Sequence, residues 1–326
     1  MIDAIDIVIP WVDGDDPVHR AKRQKYTAGT NAENLEDVAG NSRFSSIGEI
    51  FYCILSINIF APFVRKIFIV TDGQNPQVQK KLTQVFPDGH IPMEVVDHKI
   101  LFEGYEEYLP TFNSRAIETL IWKIPGLSER FLLMNDDFMF IRNSRPEDFF
   151  QGERTICYAK IYPTLWAKLM RMIRPEKKGH KRISFKDSMI NAVDIMGGSR
   201  QFMFLGHTPR ALRKSFYEDF FNGREDLIVR NIRHKFRHAE QFNSQELFYL
   251  SEYRKGRCTV INTDRRLVYL YPKRRKGYID RKLAMFDRRK DTIFCCMNAL
   301  SLAEKEDQSK ILEWVKDTLN VKPTES

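Results

Sequence analysis

Two adjacent carboxylates, Asp136 and Asp137, follow the apolar run Phe131–Met134 and a single asparagine, Asn135. An acidic pair placed directly after a buried strand can hold Mg²⁺ or Mn²⁺ through one or two oxygens. Water and substrate phosphates then complete the shell. The same triplet can instead solvate a loop or cap a helix; its place behind a strand favours metal. Among seven histidines, His207, in His207-Thr208-Pro209, is the best candidate for a base, because imidazole accepts a proton near neutral pH. A structural histidine is the alternative. Arg237 lies in the basic stretch Arg233–His238, where a guanidinium can grip a diphosphate through paired hydrogen bonds or line a solvated helix face.

Two further polar turns stand where a nucleotide would lie. Trp11, Asp13 and Gly14 follow the run Ile5–Pro10, and Asp72-Gly73-Gln74 follows Lys66–Val70. Trp11 offers an aromatic face but also suits a core, and Asp-Gly pairs are ordinary turn formers.

The elements that must position these residues can be read from hydrophobic spacing. Ile5–Pro10, Lys66–Val70, Met93–Val96 and Phe131–Met134 are short, apolar, β-branched or aromatic runs expected to form buried strands. Helical spacing is expected over Ile47–Phe60, ended by Pro62, over Gln77–Val85 and over Asn113–Lys123. Strands alternating with helices predict a βαβ sheet, which binds ligands beyond the carboxyl ends of its strands. WVDGDD, TDGQN and NDD all follow strands. After residue 150 the alternation weakens. A short amphipathic helix is expected at Leu165–Ile173, mostly helical pattern over Phe216–Arg254, an added strand at Leu267–Tyr271 and a last helix at Lys310–Leu319.

At 326 residues the chain can bury a full core. Its net charge of +9 is uneven: residues 1–150 hold 15 Lys+Arg against 22 Asp+Glu, and residues 151–326 hold 37 against 21. An acidic half suits a metal and an oppositely charged half an anionic ligand or surface. The five cysteines show no CxxC spacing, which speaks against a zinc site or a disulfide framework and for a reducing compartment. The first residues lack the basic start and apolar core of a signal peptide. No apolar stretch approaches the ~20 residues of a membrane span. The expected location is cytoplasmic, including the inner face of the membrane. There the helix carrying Trp166, Leu169, Met170 and Ile173 on one face could rest in the interface, or else pack on the catalytic domain. The Lys-rich stretch Lys177–Arg182 reads as loop, and the cluster Lys273–Lys276 could attract anionic lipid or a phosphate-bearing glycan, or simply be solvated. Nucleic acid is not an expected partner, since the basic clusters lack an aromatic RNA-binding signature or zinc spacing.

Taken together these blocks resemble the Stealth family of bacterial capsule hexose-1-phosphoryltransferases, which includes the lysosomal-enzyme N-acetylglucosamine-1-phosphotransferase. The resemblance runs through IDIVIPWVDGDDP (5–17), APFVRKIFIVTDGQNP (61–76), VVDH (95–98), YLPTFNSRAIE (108–118), IPGLSERFLLMNDDFMF (124–140), PEDFF (146–150), LGHTPRALRKS (205–215) and KFRHAEQFNSQ (235–245). It implies a Rossmann-like, GT-A-like nucleotide-sugar transferase fold with helical insertion and C-terminal helices. It implies transfer of a sugar-1-phosphate, of N-acetylhexosamine type, from a UDP-sugar to a hydroxyl of a cell-surface or lipid-linked glycan, with release of UMP. On matching positions, Asp136 and Asp137 would serve metal (Mg²⁺ or Mn²⁺) and catalysis, His207 or one of the aspartates proton transfer, and Arg237 the phosphate. Trp11, Asp13, Gly14, Asp72, Gly73, Gln74, Asn113 and Ser114 would line the donor pocket. The chain departs from the family pattern at Ser46, where Asp is usual, at Leu55, where Arg often follows, and at Arg115, which replaces a His.

The expected organisation is a Rossmann-like part (1–150), a basic helical insertion (151–200), the rest of the catalytic domain (201–290) and a helical tail (291–326). The competing readings are an ordinary metal-dependent glycosyltransferase that releases UDP, a nucleic-acid-binding protein, and an idle scaffold.

Overall fold

A computed structural model describes residues 4–27, 48–174, 184–271 and 277–320. Ser46, the run 177–182 and the cluster 273–276 lie outside these residues.

Four parallel strands and one antiparallel strand make the central sheet. β1 (Ile5–Pro10), β2 (Val64–Thr71), β3 (Met93–Asp97) and β4 (Arg130–Leu133) are parallel, and β9 (Arg210–Arg213) runs against β4, in the order β3-β2-β1-β4-β9. Their sequences are apolar on both faces because both faces are covered. Ile5, Ile7 and Ile9, with Ile67, Ile69 and Leu132, enter one core cluster beside helix α2 (Glu49–Phe60). Val8, Phe68, Val70, Phe131 and Leu133 enter the other, beside α5 (Ser114–Leu120). Period-two alternation thus divides each strand between two cores. This is the α/β class with a Rossmann-like sheet expected from the sequence.

The sheet's two ends differ in chemistry. At the amino end, buried Asp6 accepts from Arg65 Nε at 2.8 Å and Nη2 at 2.6 Å and from Ser128 N at 2.7 Å, so this carboxylate is a structural tie. The carboxyl end holds every polar turn that the sequence singles out.

Later segments build two smaller sheets. β5 (Phe138–Phe140) lies antiparallel to β12 (Phe294–Met297), which pairs with β11 (Leu267–Leu270). β7 (Arg154–Pro163) joins β6 (Phe150–Gln151), β8 (Gln201–Leu205) and β10 (Cys258–Ile261). Two regions read from the sequence as helical therefore carry strands. Residues 151–200 open with the ten-residue β7 before α6 (Thr164–Met172) and α7 (Phe185–Ile195), and β12 precedes the final helix at Lys305–Thr318. Their pairing partners lie far away in sequence, so local spacing does not announce them. All five cysteines are buried and unbridged.

Candidate active site at the carboxyl edge of the sheet

β4 delivers the acidic pair. Met134 N donates to Val8 O at 3.0 Å, the chain turns over Asn135–Asp137 with Phe138 N on Asn135 O at 3.1 Å, and it leaves as β5. β12 closes over this turn: Met297 N donates to Asp137 O at 2.9 Å, and Cys296 Sγ donates to Asp137 Oδ2 at 3.4 Å. Burial pushes the Cys296 thiol well up, so it remains a donor. Asp137 Oδ1 is buried with no hydrogen-bond partner among the described residues. Burial raises Asp137 to about 6, with Glu49 adding repulsion and the Cys296 and Asn298 bonds opposing it. Asp136 is pushed well above the usual carboxylate range by burial, then by Asp137 and Glu49. A buried carboxylate oxygen without a donor, beside two more acids, is a donor set that fits a hard divalent cation.

β9 brings the histidine to the same edge. Because β9 runs antiparallel to β4 with Leu133 opposite Arg210, the residues just before Arg210 lie beside the end of β4. His207 packs against Phe138, the neighbour of Asp137, edge-on at 6.0 Å, and against Tyr269 at 4.9 Å. Burial, reinforced by Arg210, lowers His207 to about 4, so its ring is neutral near pH 7. Gly206 makes this approach possible: a Cβ there would sit 2.6 Å from Thr263 Oγ1, and Thr263 is buried. Upstream, β8 is held by Glu246 Oε1, which accepts from Met203 N at 2.8 Å.

One side chain fastens the two nucleotide-side turns. Gln74 Oε1 accepts from Asp13 N at 2.9 Å, while its Nε2 donates to Asp13 O at 2.9 Å and Asp16 Oδ2 at 2.8 Å. Lys22, on α1 (Pro17–Thr27), pairs with Asp72 at 2.9 Å. Gly73 takes a left-handed φ of 68°, open to glycine. Gly14 is buried in the first turn. Trp11 is only 9% exposed and packs in the core, its indole nitrogen buried without a partner among the described residues. The structure thus withholds the aromatic face that the sequence offered for stacking. His98, after β3, is buried with neither ring nitrogen partnered among the described residues, and burial lowers it to about 4.

Asn113 and Arg237 meet at the start of α5. Asn113 caps the helix through Arg115 N at 3.2 Å, and its Nδ2 donates to His234 O at 3.1 Å and Phe236 O at 2.8 Å. Phe112 stacks on Phe236 at 5.4 Å. Arg237 Nη2 then reaches Ser114 Oγ at 3.2 Å. Glu118 lies one turn beyond Ser114 on the same helix face and accepts from Gln245 Nε2 at 2.9 Å; Gln245 Oε1 also receives Arg210 Nη1 at 3.4 Å. Arg115 is buried and directs Nη2 to Ser184 O at 3.4 Å, and Leu55 is a fully buried core residue. His234, His238 and Glu240 also bring ligand atoms within 4.8 Å of one another, but Arg233 already pairs with Glu240 and the two imidazoles stack face to face at 4.0 Å.

The predicted residues form three groups along one edge: Asp13, Gly14 and Asp72–Gln74; Asp136, Asp137 and His207; Asn113, Ser114 and Arg237. Sequence reasoning missed Glu49, His98, Glu118, Tyr269, Cys296 and Asn298. His98 and Glu118 stand inside quoted motifs, and Glu49 inside the helix expected over Ile47–Phe60, so these could have been weighed; the last three arrive by long-range pairing.

Residues 3–30 match conserved region 1 of the Stealth proteins and residues 43–158 match conserved region 2. A capsular polysaccharide phosphotransferase of Actinobacillus pleuropneumoniae is 31% identical over 239 residues, 73% of this chain and 62% of that protein. An exopolysaccharide phosphotransferase of Streptomyces coelicolor is 31% identical over 299 residues, 90% of this chain and 47% of that one. A capsular polysaccharide phosphotransferase of Neisseria meningitidis serogroup B is 30% identical over 271 residues, 76% of this chain and 65% of that one. The chain thus spans between about half and two thirds of the length of these relatives. Among solved structures, the galactosyltransferase LgtC with donor and acceptor sugar analogs superposes with a TM-score of 0.46 and 11% identity, covering 98% of this chain and 97% of that one. The WbbM bifunctional glycosyltransferase superposes at 0.48 with 9% identity, covering 99% of this chain and 50% of that one.

Proposed function

The chain belongs to the Stealth family, and from that membership and the site's chemistry we propose that it moves a sugar-1-phosphate from a UDP-sugar to a glycan hydroxyl, releasing UMP. The donor sugar is of the N-acetylhexosamine type, and the acceptor is a capsular or extracellular polysaccharide. The observation that carries the reading is the convergence of Asp136, Asp137 and a neutral His207 on one edge, enforced by the β4–β9 register.

The acceptor oxygen attacks the β-phosphorus of the donor. A new O–P bond forms while the bond from that phosphorus to the oxygen bridging toward UMP breaks, and the electron pair leaves with UMP. His207, unprotonated at neutral pH, takes the acceptor proton on its ring nitrogen; such a base contributes roughly 10²–10⁴-fold. Arg237, oriented through Ser114, offers a planar fork to the phosphate oxygens. The turns at Asp13–Gly14 and Asp72–Gln74, held together by Gln74, form the nucleotide side of the pocket, with Asn113 and Ser114 opposite. Asp136 and Asp137 would hold Mg²⁺ or Mn²⁺, which when bound neutralises charge on the phosphate oxygens.

Purified protein incubated with Mg²⁺, UDP-N-acetylhexosamines and a polysaccharide acceptor is expected to release UMP. Release of UDP instead would assign the chain to ordinary glycosyl transfer.

A further inference from the structure

Helix α6 is built inside out. A surface helix normally turns its apolar stripe to the core and its charges to water. Here Leu165 is 81% exposed, Met172 74%, Ile173 63% and Trp166 59%, and Leu169 and Met170 are exposed beside them. Three polar contacts hold the opposite face on α7: Lys168 with Asp194 at 2.5 Å, Arg171 with Asn191 Oδ1 at 3.0 Å, and Arg174 with Asp187 at 2.6 Å. The cations therefore anchor the helix and the large apolar side chains face outward. Six contiguous exposed hydrophobes, one of them Trp, form the kind of patch that a soluble surface avoids unless it binds something.

Charge decides what covers the patch. Lys186 and Arg200 are exposed at its margins, and Arg200 O receives the amide of Thr164 at the start of the helix. Among the described residues, the acids Asp187 and Asp194 beside α6 are engaged by Arg174, two residues past its end, and by Lys168. A second copy of the chain would bring this cationic rim against its own image, whereas anionic headgroups would neutralise it. Apolar side chains inserted at the headgroup boundary, with Lys and Arg alongside, are the signature of an interfacial helix. No helix among the described residues is long and apolar enough to cross a membrane, so the contact is to a surface.

We propose that α6 seats the protein on an anionic bilayer surface, with Leu165, Trp166, Leu169 and Ile173 inserted at the headgroup boundary. Strand β8 runs from beside the start of α6 to His207, five residues or ~17 Å of strand. The docked helix thus fixes the height of the candidate site above the bilayer, within reach of a lipid-linked glycan. This surface is separate from the residues of the proposed transfer, and its test does not depend on that activity.

The test is co-sedimentation with sonicated vesicles of phosphatidylcholine alone or mixed with phosphatidylglycerol, using the full chain and the double variant Leu165→Glu/Ile173→Glu. The wild type is expected to bind the mixed vesicles at least tenfold more tightly than the neutral ones. The double variant, with an unchanged thermal transition, should lose at least tenfold in binding to the mixed vesicles. Vesicle binding that is undiminished in the variant would overturn the proposal. So would no vesicle binding together with a dimer, seen by light scattering, that the double substitution dissociates; the patch would then be an interface between copies.

Discussion

Replacing Asp137 by asparagine separates the acid's role in holding a cation from its role in the fold. In the metal-free protein this carboxylate is held at about 6 against an ordinary 3.8, chiefly by burial. A carboxyl group raised on folding keeps its proton in the native state while the unfolded chain has released it. Between about pH 4 and 6 the native state therefore binds more protons, and stability falls as pH rises. Above pH 6 the full penalty stands, about 3 kcal/mol for a shift of roughly two units. Asparagine keeps an oxygen to accept from Cys296 and places an amide where Oδ1 has no partner among the described residues. Asp137→Asn is thus expected to stabilise the protein in EDTA at pH 7.5 by about 3 kcal/mol, and the gain should vanish on titration down to pH 4. With Mg²⁺ at a hundredfold excess over its Kd, the wild type should gain roughly 2.7 kcal/mol and the variant should not. Urea unfolding followed by circular dichroism measures both effects. A variant that is less stable than wild type in EDTA, or that responds equally to Mg²⁺, would refute the reasoning.

Three further outcomes follow from the same geometry. His207→Ala is expected to lower kcat roughly 10²–10⁴-fold, and the wild-type rate at saturating cation should stay level from pH 8 to pH 6, because the ring protonates only near 4; a wild-type acid limb near 6.5 in the pH–rate profile would contradict this. Gly206→Ala should force Thr263 out of place, lowering the melting temperature and cutting kcat more than it raises KM. Arg237→Lys keeps the charge but loses the planar fork, and should weaken UDP-sugar binding about tenfold in calorimetry.

Much of the sheet was legible because its strands are self-announcing. Ile5–Pro10 was found with its exact bounds, and β2, β3 and β4 within two residues, since strands buried on both faces read as continuous apolar runs. The acidic pair was visible for the same reason: it interrupts such a run. The rest of its environment was not. Cys295 pairs with Met139 across the chain, and FCCM is too short a run to declare itself a strand among charged neighbours. So the thiol on Asp137 and the ring against His207 came only with the fold. Trp11 shows the converse case, a residue the sequence left open between stacking and core. Its type allowed either, and the structure packs it against the core.

The bond that breaks tests the central claim most directly. A UDP-N-acetylhexosamine carrying ¹⁸O between the sugar carbon and the β-phosphorus can be followed by mass spectrometry of both products. The account predicts that the label stays in the glycan, inside a new phosphodiester, and that unlabelled UMP is released. Label recovered in UDP, with a glycan gaining sugar but no phosphorus, would contradict it.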